Sequence, residues 1–116
     1  MAKRAKYNNT KTGGFDSKKE AAYSTKLDLL RNATEDSERV TDIQRQVRYL
    51  LIPSQKDETG KVIERPCHYV ADFVVTYADG HVDVIDVKSE FTKKLPVYII
   101  KRKLLFFTKG IRIKEV

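Results

Sequence analysis

Two apolar runs, His68 to Tyr77 and His81 to Lys88, are separated only by Ala78-Asp79-Gly80, and this arrangement constrains the chain more than any other part of it. Runs rich in Val, Tyr, Phe and Ile around a glycine turn predict the two strands of a β-hairpin. A three-residue loop with glycine in its left-handed third position is a favoured connection, and Gly80 occupies that place. If Tyr77 pairs with His81, counting outward along both strands brings Asp72 opposite Asp86 and Val70 opposite Lys88. Both carboxylates and the lysine then share one face. Directly opposed residues have Cβ atoms roughly 5 Å apart. Like charges at that distance repel unless something positive lies between them, and a divalent metal would remove the conflict. A two-residue Asp79-Gly80 loop would instead send Asp72 and Asp86 to opposite faces. Phe73 with Ile85 and Val74 with Val84 make both faces apolar, as expected of a strand pair buried on both sides. Carboxylates in such a pair are costly without a partner, whereas carboxylates at strand ends stay solvated.

The charge balance narrows the class of partner. Twenty-three Lys and Arg against 16 Asp and Glu give a formal charge of +7, unevenly spread, which points to nucleic acid. Residues 1–13 hold Lys3, Arg4, Lys6 and Lys11 with no acidic residue, and read as a basic flexible arm. Such an arm either orders on a phosphate backbone or merely aids solubility. The remaining 14–116 are long enough for one core, so a single domain is expected. No apolar run has the roughly eighteen residues of a membrane span, and the basic start lacks the apolar stretch of a signal peptide. The expected location is therefore the cytoplasm. Cys67 is the only cysteine, which excludes an internal disulfide, and with only His68 and His81 there are too few ligands for a closed zinc site. At the turn, His81 has Tyr77 as an available cross-strand partner.

The pattern along the chain supplies the other elements. A helix is predicted from Ser17 to Asn32, with Tyr23, Leu27 and Leu30 at helical spacing and Glu20 on the same stripe. Glu20 has two readings: it closes a capping box with Ser17, or it points toward the Asp72/Asp86 site and assists a metal through water. A polar loop, Asn32 to Glu38, leads to a strand over Arg39 to Ile52, with Ile43, Val47, Tyr49 and Leu51 on one alternating face and Pro53 at its end. Gln46 lies on the other face, either solvated or bonded to Lys88 or DNA. Ser54 to Pro66 is expected to be a mobile excursion. Pro96 suits the first turn of a second helix reaching about Thr108, with Val97, Ile100, Leu104 and Phe107 as its buried stripe and Gly110 beyond its end. Lys101, Arg102 and Lys103 give it a basic side, which is a solvated face or, at Lys101 and Lys103, a contact to phosphate. Ile111 to Val116 closes the chain as a strand.

The resulting order, α-β-β-β-α-β, carries a glutamate in the first helix, Asp72 in YVADF, and Asp86 with Lys88 in DVIDVKS. Together these resemble the PD-(D/E)XK nuclease superfamily, over Gly14 to Val116. Ala71 stands where that motif's name has proline, and Asp86 where glutamate is commoner. The stretches GFDSKKEAAY and YVADFVV look most like small phage-encoded endonucleases related to Holliday-junction resolvases. The resemblance implies an α/β fold with a restriction-endonuclease-like core, a mixed central sheet flanked by helices. It also implies a metal-dependent DNA endonuclease that hydrolyses phosphodiester bonds, acts on branched DNA in phage recombination or packaging, and works as a homodimer. Asp72, Asp86, the Val87 carbonyl and Glu20 would then surround Mg²⁺, with Mn²⁺ able to substitute, and Lys88 would orient water or meet developing charge. The alternatives are a duplex-cutting restriction- or transposition-type endonuclease and a non-catalytic nucleic-acid-binding protein.

Overall fold

The computed structural model describes residues 17–116 of the chain. Lys3, Arg4, Lys6 and Lys11 of the expected basic arm therefore lie outside the described residues. The elements are helix α1 (Lys18–Leu29), strands β1 (Val40–Ile52), β2 (Gln55–Lys56), β3 (Val62–Glu64), β4 (Cys67–Tyr77) and β5 (Val82–Asp86), helix α2 (Pro96–Lys109) and strand β6 (Ile113–Glu115). The architecture is α/β. A four-stranded sheet has the order β1-β4-β5-β6, and it is mixed because β6 runs parallel to β5 while a tight turn joins β4 to β5. The described residues fall into two compact units, 17–43 with Thr76–His81, and Gln44–Val75 with Val82–Val116. Among the described residues, no helix is long and apolar enough to cross a membrane.

In the first unit, Ser17 caps α1: its hydroxyl accepts the Glu20 N–H at 3.1 Å, half of the reciprocal box that the sequence offers. The helix buries Leu27 and Glu20 and runs on into a 3₁₀ turn, Leu30–Asn32. The acidic loop that follows is ordered by Arg39, whose guanidinium bonds the Thr34 carbonyl at 3.2 Å and the Asp36 carboxylate at 2.7 Å. In return, the Arg39 and Asp36 carbonyls accept the N–H groups of Ala78 and Asp79. The turn itself has the bonds of a three-residue loop: Gly80 N–H to the Tyr77 carbonyl at 2.9 Å and Tyr77 N–H to the His81 carbonyl at 3.0 Å. Gly80 takes φ +93°, where a side chain would be strained. Tyr77 and His81 stack with ring centroids 4.1 Å apart, and this loop excludes the two-residue alternative.

The second unit holds a core of Leu51, Tyr69, Ala71, Val84, Tyr98 and Leu105. Along β4, Tyr69, Ala71, Phe73, Val75 and Tyr77 are buried, while Val70, Asp72, Val74 and Thr76 are half-buried or exposed. The strand thus alternates, and the expectation of two equally apolar faces is corrected. A second correction concerns α2. Its buried residues are Tyr98 and Leu105, whereas Val97, Ile100 and Phe107 are 68%, 56% and 86% exposed. The helix turns Tyr98 inward because its hydroxyl finds the Glu115 carboxylate, so the phenol can be buried without leaving a donor unpaired. Gly110, at φ +68°, ends the helix and donates its N–H to the Phe106 carbonyl. Residues 54–66, expected as a mobile excursion between strands, carry regular secondary structure of their own. They form an antiparallel ribbon of β2 and β3, closed at Gly60 by the same glycine loop as the main hairpin.

Candidate functional site

The end of the hairpin away from the turn brings Asp72 and Asp86 together through the backbone. Each carboxylate accepts an N–H from the other strand: Asp72 N–H reaches Asp86 Oδ1 at 3.0 Å, and Val87 N–H reaches Asp72 Oδ2 at 2.9 Å. The remaining Asp86 oxygen accepts the Tyr69 hydroxyl, and Asp86 is only 1% exposed. Asp86 to Lys88 is held from the other side as well. Val116 donates its N–H to the Asp86 carbonyl at 2.9 Å, and its carbonyl accepts the Lys88 N–H at 3.0 Å. The short segment Asp86-Val87-Lys88 is therefore clamped between β4 and the residue that follows β6.

The electrostatics follow from this burial. Loss of water raises the Asp72 carboxyl above its usual range. The Val87 N–H opposes that rise, the charge on Asp86 adds to it, and the Lys88 ammonium and Gln46 amide oppose it. Burial also pushes the Tyr69 phenol far up, reinforced by its bond to Asp86, so Tyr69 remains a donor. Tyr98 is raised by burial and by its bond to Glu115. The Lys88 ammonium lies 4.5 Å from the Tyr98 ring centre, with the Arg102 guanidinium 5.7 Å from the same ring. A cavity of about 300 Å³ opens beside these groups, lined among others by Asp86, Lys88, Tyr98 and Lys101.

Gln46 belongs to this arrangement too. Its side-chain amide approaches Asp72 Oδ1 at 3.5 Å, and its backbone has φ +53°, the one described non-glycine residue with positive φ. A left-handed residue inside a strand costs about 1 kcal/mol and re-aims its side chain. The structure thus gathers Asp72, Asp86, Val87, Lys88, Lys101 and Gln46 from the predicted set. Lys103 is exposed on α2, and Glu20, 4% exposed, belongs to the α1 unit. Tyr69 and Tyr98 were missed. The available signal for Tyr69 was a phenol in a strand beside a buried carboxylate that needed a donor; nothing local marks Tyr98.

Among the described residues, no group of three or more His, Cys, Asp and Glu side chains gathers as a metal site. Two carboxylates do suffice in kind for Mg²⁺, a hard cation usually held by one or two carboxylates and several waters. Asp72 and Asp86 offer oxygen donors only, and the charge of each raises the need for a positive partner at the other, so in kind they fit such an ion. Comparison with known proteins gives one result: residues 1–114 match the model of a family described as "Protein of unknown function (DUF1064)". No curated protein and no solved structure matches the chain.

Proposed function

Because the chain belongs to the DUF1064 family, whose description assigns no activity, we propose from the site that it is a metal-dependent DNA endonuclease. We further propose a restriction-endonuclease-like core and selectivity for branched DNA. The observation that carries the reading is the cross-bonded pair of half-buried Asp72 and buried Asp86, with the Lys88 ammonium against the adjacent tyrosine. A purely structural hairpin has no use for two carboxylates there, since apolar residues of similar volume would be no less stable.

Asp72, Asp86 and the Val87 carbonyl would hold Mg²⁺, with Mn²⁺ as a substitute. When bound, such an ion supplies positive charge to the phosphoryl oxygens and lowers the pKa of water. The chain's own groups perform the rest. Val87 N–H and the Gln46 amide orient Asp72, while Tyr69 and the Asp72 N–H fix the rotation of Asp86. Lys88, swinging from the Tyr98 ring, meets the charge that develops on phosphate or orients the attacking water. The resemblance gives Glu20 a supporting part, tested separately by E20Q. A symmetric cut of a junction takes two sites, so the proposal includes a homodimer, checked by sedimentation with and without junction DNA.

The test is cleavage of labelled four-way-junction DNA beside linear duplex, with Mg²⁺ or chelator. Preferential, Mg²⁺-dependent cutting of the junction that D72N, D86N and K88M each reduce at least a hundredfold supports the reading. Equal cutting of duplex keeps the enzyme and rejects branch selectivity. The carboxylates already have protein donors, which favours one other reading, a non-catalytic nucleic-acid-binding protein. Binding without cutting in Mg²⁺ and Mn²⁺ selects it.

A further inference from the structure

The basic excess of the chain gathers in one stretch. Between residues 88 and 112 there are eight Lys and Arg and a single acidic residue, Glu90. The same stretch leaves large apolar side chains in water: Phe91 is 72% exposed, Val97 68%, Ile100 56% and Phe107 86%. Val97, Ile100 and Phe107 fall at intervals of three and seven residues, so they form an exposed stripe along α2 on a flank other than the one that Tyr98 and Leu105 bury, with the half-buried Leu104 at its edge against the core. At its start this face meets the site, because Leu95, Val97 and Lys101 line the cavity that also contains Asp86 and Lys88.

Several occupants could cover an apolar stripe, and charge decides among them. A second copy would bring two helices together that each carry Lys101 and Lys103 beside the stripe and no acidic residue, so like charges would flank the seam. An anionic polymer with flat apolar faces matches both properties at once. Unpaired nucleotides are such a polymer: their phosphates meet lysines, and their bases stack on aromatic rings at a gain that does not depend on sequence. Bases paired and stacked in a duplex present no face to a phenylalanine. From Val97 to Phe107 the helix rises about 15 Å, room for roughly four stacked nucleotides.

We propose that the exposed face running from Phe91 along α2 to Phe107 is a docking track for an unpaired DNA strand leading into the Asp72/Asp86 site. The inference rests on the nuclease reading for its direction into the site, yet its test does not depend on cleavage. Anisotropy of a labelled single-stranded oligonucleotide, a blunt duplex and a four-way junction is measured with wild-type protein in chelator. F91A/F107A removes side chains that are largely in water, so the fold is retained, and circular dichroism verifies this. The variant is expected to bind the single strand at least tenfold more weakly and the duplex and the fully paired junction unchanged, while F91A/F107W restores affinity for the single strand. An equal loss on duplex, or no loss on any probe, overturns the track. So does a loss of self-association or of binding to phosphatidylserine vesicles with oligonucleotide affinity intact. A protein that binds through Phe107 but never cuts would fail the nuclease reading and keep this one.

Discussion

Gln46 is held in a conformation that only glycine adopts freely, and its side chain meets a carboxylate that burial has already pushed toward protonation. Both facts are local costs, and a protein retains such costs where the geometry is used. Q46G should separate the two roles. Glycine relieves the backbone, so stability should hold or rise by up to about 1 kcal/mol in denaturant unfolding, while DNA cleavage falls about tenfold because Asp72 loses an orienting donor. Parallel losses in stability and cleavage would place Gln46 in the scaffold only. D72N makes the complementary case. With metal absent, it removes one charge from the crowded pair but keeps an oxygen for the Val87 N–H, so unfolding at pH 7 should require on the order of 1 kcal/mol more. Added Mg²⁺ should raise the melting temperature of the wild type and leave that of D72N unchanged, because only the wild type binds the ion.

At the level of elements, the hairpin was the most legible part, and the reason is physical: its register is fixed by a loop that three consecutive residues define. Gly80 must take positive φ there, and open space around it means that only backbone strain opposes a side chain. G80A should therefore cost about 1 kcal/mol and no more. Beside it, Asp79 accepts the His81 N–H at 3.0 Å, which is the main reason its carboxyl lies below the usual range, with the His81 ring as a further cause. A lowered folded-state pKa means stability that is present above the ordinary carboxylate value and lost as pH falls through the lowered one. Melting curves from pH 5 to pH 2 should show that loss in the wild type and a shallower one in D79N. The failures of legibility lie where tertiary contacts outvote a local pattern. The spacing of Val97, Ile100, Leu104 and Phe107 satisfies a buried stripe, yet Tyr98 wins the core because Glu115, seventeen residues away, satisfies its hydroxyl. Ser54 to Pro66, rich in charge and centred on Thr59-Gly60, reads as a mobile excursion between strands, yet Asp57 organises a loop through Thr59 and Lys61 that closes β2 on β3. The carboxylate pair could be counted out from the turn, whereas Tyr69 and the clamp by Val116 depend on contacts that no count along one strand contains.

For the whole molecule, a formal charge of +7 predicts how strongly binding to DNA responds to salt. Each phosphate neutralised by Lys or Arg releases condensed counterions, so log K falls with log salt by about 0.9 per contact on duplex and about 0.7 on a single strand. Two groups of cations are available, Lys3, Arg4, Lys6 and Lys11 near the start of the chain and the eight between residues 88 and 112. They can be told apart. Removing residues 1–13 should lower the slope by about 3.6 on duplex if all four cations contact phosphate, and leave Mg²⁺-dependent cutting measurable at low salt, because the site residues are untouched. K103A/K109A should lower it by about 1.4 on a single strand and change duplex binding less, since these lysines lie on the helix that carries Phe107 rather than on a surface shaped for paired DNA. Titrations between 50 and 200 mM salt with both probes give all four slopes. An unchanged slope after truncation would make the arm a solubilising tail and leave residues 88–112 as the chain's main electrostatic footprint. An unchanged slope in K103A/K109A would mean that phosphate does not follow α2, and the basic side of that helix would be a solvated face after all.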